Sequence, residues 1–247
     1  DLMKEPQVCV TRASTQANAA HLSPAFIRVI YDTYGGTRLG RQELNGEILL
    51  DHAGALWTHK GLDKIRATCA PKHINKTVIA VDPPITSGAN ADACGLIVAA
   101  RAGEGAQAKL YVLHDATIQG LSPDKWAALA VKLWREWDAD YILAEVNQGG
   151  EMIKSILSAI DADVPVRTVY ASKSKAARAE PVAALYEAGK VKHVGNFNAL
   201  EDELCAMGAH SHGSKSKRKS PDRADALVWA ATDLMLKPRA NPNVRAL

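Results

Sequence analysis

The run Thr77-Val78-Ile79-Ala80-Val81-Asp82-Pro83-Pro84 constrains the fold more than any other part of the chain. Four consecutive aliphatic residues behind a β-branched threonine suit a central strand covered on both faces, and a proline pair cannot continue its ladder. Asp82 therefore falls at a strand end, where rigid backbone can hold a carboxylate facing a cleft. Taken alone, Asp82 reads equally well as a cap on the turn that Pro83 begins. Two further acids in comparable positions tip that balance.

Downstream of this strand the pattern alternates. Residues 94–100 and 109–114 are two more apolar runs, joined by Arg101-Ala102-Gly103-Glu104-Gly105-Ala106, which suits an antiparallel hairpin. Ser122-Pro123-Asp124 opens a helix in which Trp126, Leu129, Ala130, Leu133, Trp134 and Trp137 recur at helical spacing, a core stripe. A strand over 140–146 passes Glu145 and turns at Asn147-Gln148-Gly149-Gly150 into a helix with Met152, Ile153, Ile156, Leu157 and Ile160. A strand over 164–169, a helix over 174–188, a short extended piece over 191–194 and helices over 199–207 and 222–236 complete the order. Three successive strands followed by alternating helices and strands give a ribonuclease H-like mixed sheet: an antiparallel meander plus parallel strands, with helices on both faces.

The first 70 residues read differently. Gln7-Val8-Cys9-Val10 is a short strand candidate, residues 11–18 are polar and turn-like, and Ser23-Pro24 opens a helix ending at Tyr34-Gly35-Gly36. Residues 37–44 are polar and too irregular for core. Ala70-Pro71-Lys72-His73-Ile74-Asn75-Lys76 mixes proline and cations and sets a boundary, so the expected organisation is 1–70, a main domain over 71–236 and a flexible basic tail over 237–247.

Composition narrows the class without choosing the function. The chain has 247 residues, 47% of them hydrophobic and 23% charged, enough for a substantial core. Its net charge of +3 is too small to argue for nucleic acid, so the distribution of charge must carry that case. Lys215, Lys217, Arg218 and Lys219 form one cluster and Lys173, Lys175 and Arg178 another, both candidate DNA-backbone contacts. Cys9, Cys69, Cys94 and Cys205 form no Cys-x-x-Cys pair, which argues against a zinc ribbon. No apolar run approaches the roughly 20 residues of a membrane span, and the expectation is an intracellular protein without membrane partners.

In this topology Asp82, Glu145 and Asp225 converge. The first two end neighbouring parallel strands, and Asp225 lies in the first turn of an otherwise apolar final helix. Such a carboxylate must be paired or must bind metal, because burying it alone costs several kcal/mol. Three converging carboxylates tolerate one another through divalent cations, and oxygen-only ligation favours Mg²⁺ or Mn²⁺. Two such ions roughly 4 Å apart support in-line phosphodiester hydrolysis. Asp222 could be a further ligand, although a helix cap or dipole partner is the better reading. Asp92 stands evenly between auxiliary ligand and turn residue.

The segments Val81-Asp82-Pro83-Pro84, Ala144-Glu145-Val146-Asn147-Gln148-Gly149-Gly150, Arg178-Ala179-Glu180-Pro181-Val182 and 221–229 together resemble the nuclease part of the large terminase subunit of tailed phages and gene transfer particles. Thr11-Arg12-Ala13-Ser14-Thr15 and residues 34–43 resemble the end of its packaging ATPase, a lid and a linker. The resemblance covers nearly the whole chain. It implies an endonuclease cutting double-stranded concatemeric DNA in the host cytoplasm, Asp82, Glu145 and Asp225 as metal ligands, and a portal protein and small terminase subunit as partners. No Gly-x-x-x-x-Gly-Lys-Ser/Thr loop occurs, so ATP hydrolysis is not expected and the chain reads as a C-terminal fragment. Two alternatives stay open: another ribonuclease H-like nuclease of the resolvase or integrase type, and a non-catalytic module docking DNA or portal.

Overall fold

The computed structural model describes residues 7–9, 11, 13–34, 38–47, 55–84, 92–146, 150–207 and 220–237. The chain divides into two units, 1–51 and 52–247. In the first, a 3-10 turn over Thr15–His21 is capped by Ser14, whose hydroxyl accepts from Ala17 N at 3.2 Å. Helices α1 (Pro24–Tyr34) and α2 (Arg38–Glu43) follow. Residues 7–9 form no strand, and Val10 lies outside the described residues. A short extended segment has no ladder to join in this unit, where no strand occurs among the described residues. The segment expected to be irregular contains α2 instead, because Arg38, Leu39, Arg41, Gln42 and Glu43 are helix formers that outweigh the single Gly40.

The second unit is built on one mixed sheet. Its elements are α3 (His59–Asp63), β1 (Arg66–Ala67), β2 (Lys76–Asp82), β3 (Ala93–Ala102), β4 (Lys109–Asp115), β5 (Ile118–Gln119), α4 (Pro123–Glu136), β6 (Tyr141–Glu145), α5 (Gly150–Ile160), β7 (Val166–Val169), α6 (Lys175–Glu187), β8 (Val191–Val194), α7 (Asn198–Ala206) and α8 (Asp222–Ala231). The strand order is β1-β8-β4-β3-β2-β6-β7, with β5 paired to β3. β2, β3 and β4 form the expected antiparallel meander, while β6 and β7 on one side and β8 and β1 on the other run parallel to their neighbours.

The sheet recruits residues upstream of the boundary suggested by the proline and lysine segment. Arg66 and Ala67 pair with His193 and Val194 at the sheet edge, so residues 70–75 connect two strands of one unit. The final helix also departs from expectation: α8 widens into a π-turn over Thr232–Leu236, with Lys237 N donating to Thr232 O at 3.0 Å.

Alternation along the central strands explains the two-sided core. Val78 and Ala80 join a cluster with α6, α7 and α8, whereas Ile79 and Val81 join one with α4 and α5. Trp126 and Leu133 are buried in the second cluster, with Leu129, Trp134 and Trp137 packed against it, so the tryptophan stripe is core as its spacing predicts. Among the described residues no helix is long and apolar enough to cross a membrane.

Candidate active site

Register brings the first two acids together. In the parallel pair β2 and β6, Val81 lies opposite Ala144, so Asp82 and Glu145 stand level at the strand ends. Tyr141 and Leu143 share the core face of Val78 and Ala80. Period-two alternation therefore points Asp82 and Glu145 to that same face, where α8 packs.

α8 approaches the sheet unusually closely. Gly95 pairs with Asp82 across the β2–β3 ladder, and a Cβ at Gly95 would lie 2.1 Å from the Asp222 carbonyl oxygen and 2.8 Å from its carbon. Only glycine leaves room for the first turn of α8 at this height. That turn carries Asp222 and Asp225, 4% and 1% exposed, into the same region as Asp82 and the buried Glu145. Asp222 is not a helix cap. The helix begins at Asp222 itself with Pro221 in the cap position, and Asp222 Oδ2 accepts from Ala93 N at 2.9 Å. Its carboxylate ties α8 to the start of β3, a bond that only the tertiary fold creates.

A third element closes the site. Ser174 caps α6 by accepting from Ala177 N at 3.3 Å, and the first turn then presents Lys175 and Arg178. Lys175 Nζ donates to Asp225 Oδ2 at 2.5 Å and to Ser220 Oγ at 3.2 Å. Arg178 reaches both Glu145 Oε2 and Asp225 Oδ1 at 3.5 Å and lies over the Trp229 ring, 4.6 Å from its centre. Trp229 Nε1 donates to Glu145 Oε2. Arg178 Nε and Nη1 are buried without a hydrogen-bond partner among the described residues.

The electrostatics follow from crowding. Burial, reinforced by Glu145, Asp225 and Asp222, pushes the Asp82 carboxyl up to about 8 against the pull of Lys175. Burial also raises Asp225, opposed by Lys175 and Arg178, and raises Asp222, opposed by Ser220 and Ala93. Burial works against the Lys175 charge, but its bond to Asp225 wins and holds the ammonium above its ordinary value. Nearby Cys94 is kept as a thiol by burial and by Asp82 and Asp222.

Every donor in this set is a carboxylate oxygen, the chemistry of hard divalent cations. Among the described residues, no group of three or more His, Cys, Asp or Glu side chains is arranged to hold a metal ion. Oxygens of Glu145 and Asp225 are turned on Trp229, Arg178 and Lys175. The set fits a centre that requires positive charge, and here the protein's own cations supply it.

The remaining predicted residues fall into two groups. Asp92 is exposed and lies close enough to Asp222 to push its carboxyl up, and Lys173 is exposed. Lys215, Lys217, Arg218 and Lys219 lie outside the described residues. Sequence reasoning missed Gly95, Trp229 and the engagement of Lys175 and Arg178 with the acids. The available signal was the three-residue spacing of Lys175 and Arg178, which places both on one helical face.

Comparisons with known proteins agree with this architecture. Residues 79–234 match the family model Terminase_6C, a terminase RNaseH-like domain. The nuclease domain of the large terminase subunit gp2 of bacterial virus Sf6 is similar at 17% identity and TM-score 0.53, covering 70% of this chain and 96% of that one. A mutant of that nuclease domain with manganese is similar at 16% identity and TM-score 0.52, covering 70% and 97%. A large terminase from a thermophilic bacteriophage in complex with ADP is similar at 10% identity and TM-score 0.55, with 90% of this chain matched to 54% of that one. A search of curated proteins returned no match. At these identities the solved structures speak for the fold, a ribonuclease H-like mixed sheet, and the matched family model covers more than half of the chain: it belongs to the terminase RNaseH-like domain family.

Proposed function

We propose that this chain is a metal-dependent endonuclease that cuts double-stranded concatemeric DNA during viral genome packaging. The observation carrying the reading is the placement of Asp82 and Glu145 side by side on the face against which α8 sets Asp225 and Asp222. Asp82, Glu145 and Asp225 would hold Mg²⁺ or Mn²⁺, with Asp222 or Asp92 as a further ligand. When bound, two such ions supply an activated water, a grip on the scissile phosphate and charge for the departing 3′ oxygen.

The side chains around the acids then take their own roles. Lys175 and Arg178 release carboxylate oxygens and turn to phosphate, for which Arg178 has an Nε donor without a hydrogen-bond partner among the described residues and an Nη1 donor freed from its ion pair with Glu145. Trp229 holds the Glu145 carboxylate through its indole N–H and so fixes that carboxylate's rotation. Lys173 and the cations at 215, 217, 218 and 219 contact the DNA backbone, giving affinity without base reading. The portal protein and the small terminase subunit are the proposed packaging partners.

The test is plasmid cleavage with Mn²⁺, Mg²⁺ or excess chelator. Asp82→Ala, Glu145→Ala and Asp225→Ala should each abolish cleavage with the fold retained. Full activity in chelator, or in any of these variants, would overturn the reading. One observation favours a docking module that does not cut, namely that Lys175 and Arg178 already neutralise the acids. That reading predicts metal-independent DNA retention and no cleavage by the wild type.

A further inference from the structure

α8 carries two of the site acids yet starts without a cap of its own, since Pro221 makes no side-chain bond at the cap position. Its first backbone N–H groups are met from another helix. Glu203 of α7 accepts through Oε2 from Arg223 N at 2.8 Å and Ala224 N at 3.1 Å. Through Oε1 it accepts from Arg223 Nη1 at 2.8 Å. Arg223 Nε continues to Asp115 Oδ2 at the end of β4, 3.1 Å away. All three side chains are largely shielded, at 17%, 20% and 12% exposed for Glu203, Arg223 and Asp115.

We infer that Glu203 is a positioning residue for the cation centre, a cap supplied from a neighbouring helix that sets where Asp222 and Asp225 stand. Gly95 lets α8 come this near to the sheet, and the fork from Glu203 through Arg223 to Asp115 holds its first turn sideways. Both free N–H groups that Glu203 satisfies lie between the two acids in sequence, so their positions move together with it. Residues that orient ligands without touching the metal typically matter about 10–100-fold in metal affinity. The inference rests on the metal-dependent reading above.

The experiment uses the full chain, with Mn²⁺ affinity read from the electron paramagnetic resonance of free Mn²⁺ and folding read from circular dichroism. Glu203→Ala should weaken Mn²⁺ about 10-fold or more. Glu203→Gln retains an oxygen for the N–H groups and should stay within about threefold of wild type, a loss well under the range for a missing orienting partner. Arg223→Met removes the ion pair but leaves the Glu203 carboxylate to accept from the helix N–H groups, and should also stay within about threefold of wild type. A loss in Arg223→Met as large as that in Glu203→Ala would mean that only the ion pair matters, and unchanged affinity in Glu203→Ala would mean that neither does. Either result overturns the inference. Should Glu203→Ala fail to fold, Glu203→Leu, which fills the space but offers no acceptor, takes its place under the same expectation. A wild type that binds no Mn²⁺ defeats the nuclease reading itself, and the inference with it.

Discussion

The Lys175 ammonium stands 2.5 Å from Asp225 Oδ2, half in solvent, on a carboxylate that is almost wholly buried. It occupies the kind of position a divalent cation would claim. The same pair that stabilises the protein without metal therefore competes with the ions the site is proposed to hold.

Lys175→Met keeps the aliphatic stem and removes that competitor. The chelated variant should melt below the wild type, because Asp225 loses its nearest counter-charge. Mn²⁺ should bind up to about fivefold more tightly, the equivalent of the roughly 1 kcal/mol that a half-exposed ion pair is worth. Calorimetric titration and a thermal scan in chelator measure the two effects. Weaker Mn²⁺ binding in the variant would show that Lys175 supports the centre.

Gly95→Ala should destabilise the second unit by about 1–3 kcal/mol, the usual range for overpacking a tight contact. The added Cβ meets backbone of Asp222 rather than a flexible side chain, so α8 must lift. Cleavage should fall as well, because the lifted turn carries Asp225. An unchanged urea midpoint would mean that α8 does not sit this close to β3.

The pH dependence of stability should come partly from Glu201. Burial pushes its carboxyl up, but hydrogen bonds from His193 and Arg66 outweigh that and hold it at about 2. A carboxyl depressed in the folded state stabilises above its ordinary titration range, and that stability is lost as pH falls from about 4.5 toward 2. Fully buried His193 is depressed too, chiefly by burial, so protonation of the unfolded chain below its ordinary range works in the same direction. Glu201→Gln should therefore be less stable than wild type at pH 7, with the difference shrinking as the pH approaches 2. Melts showing a constant gap between pH 7 and pH 2.5 would contradict this.

Most elements of the second unit were legible because they are local patterns. The aliphatic run before Asp82, the tryptophan stripe and the Ser174 start of α6 each announce themselves within a few residues. The meander followed from three apolar runs without an intervening helix. Less visible was β1, whose two residues carry no periodicity and form a strand only because β8 offers an edge.

The sequence by itself determined that acids stand at the ends of two strands and in the first turn of a helix otherwise apolar around them. Tertiary structure alone decided what each acid meets. Asp222 turns from an apparent cap into a bond with Ala93, 129 residues away in the chain, and Glu145 meets Trp229, 84 residues on. The physical reason is range: backbone propensity and side-chain period act over a few residues and specify elements. Which side chains share a buried space depends on register and on how closely helices pack on the sheet, here set by a glycine opposite Asp82.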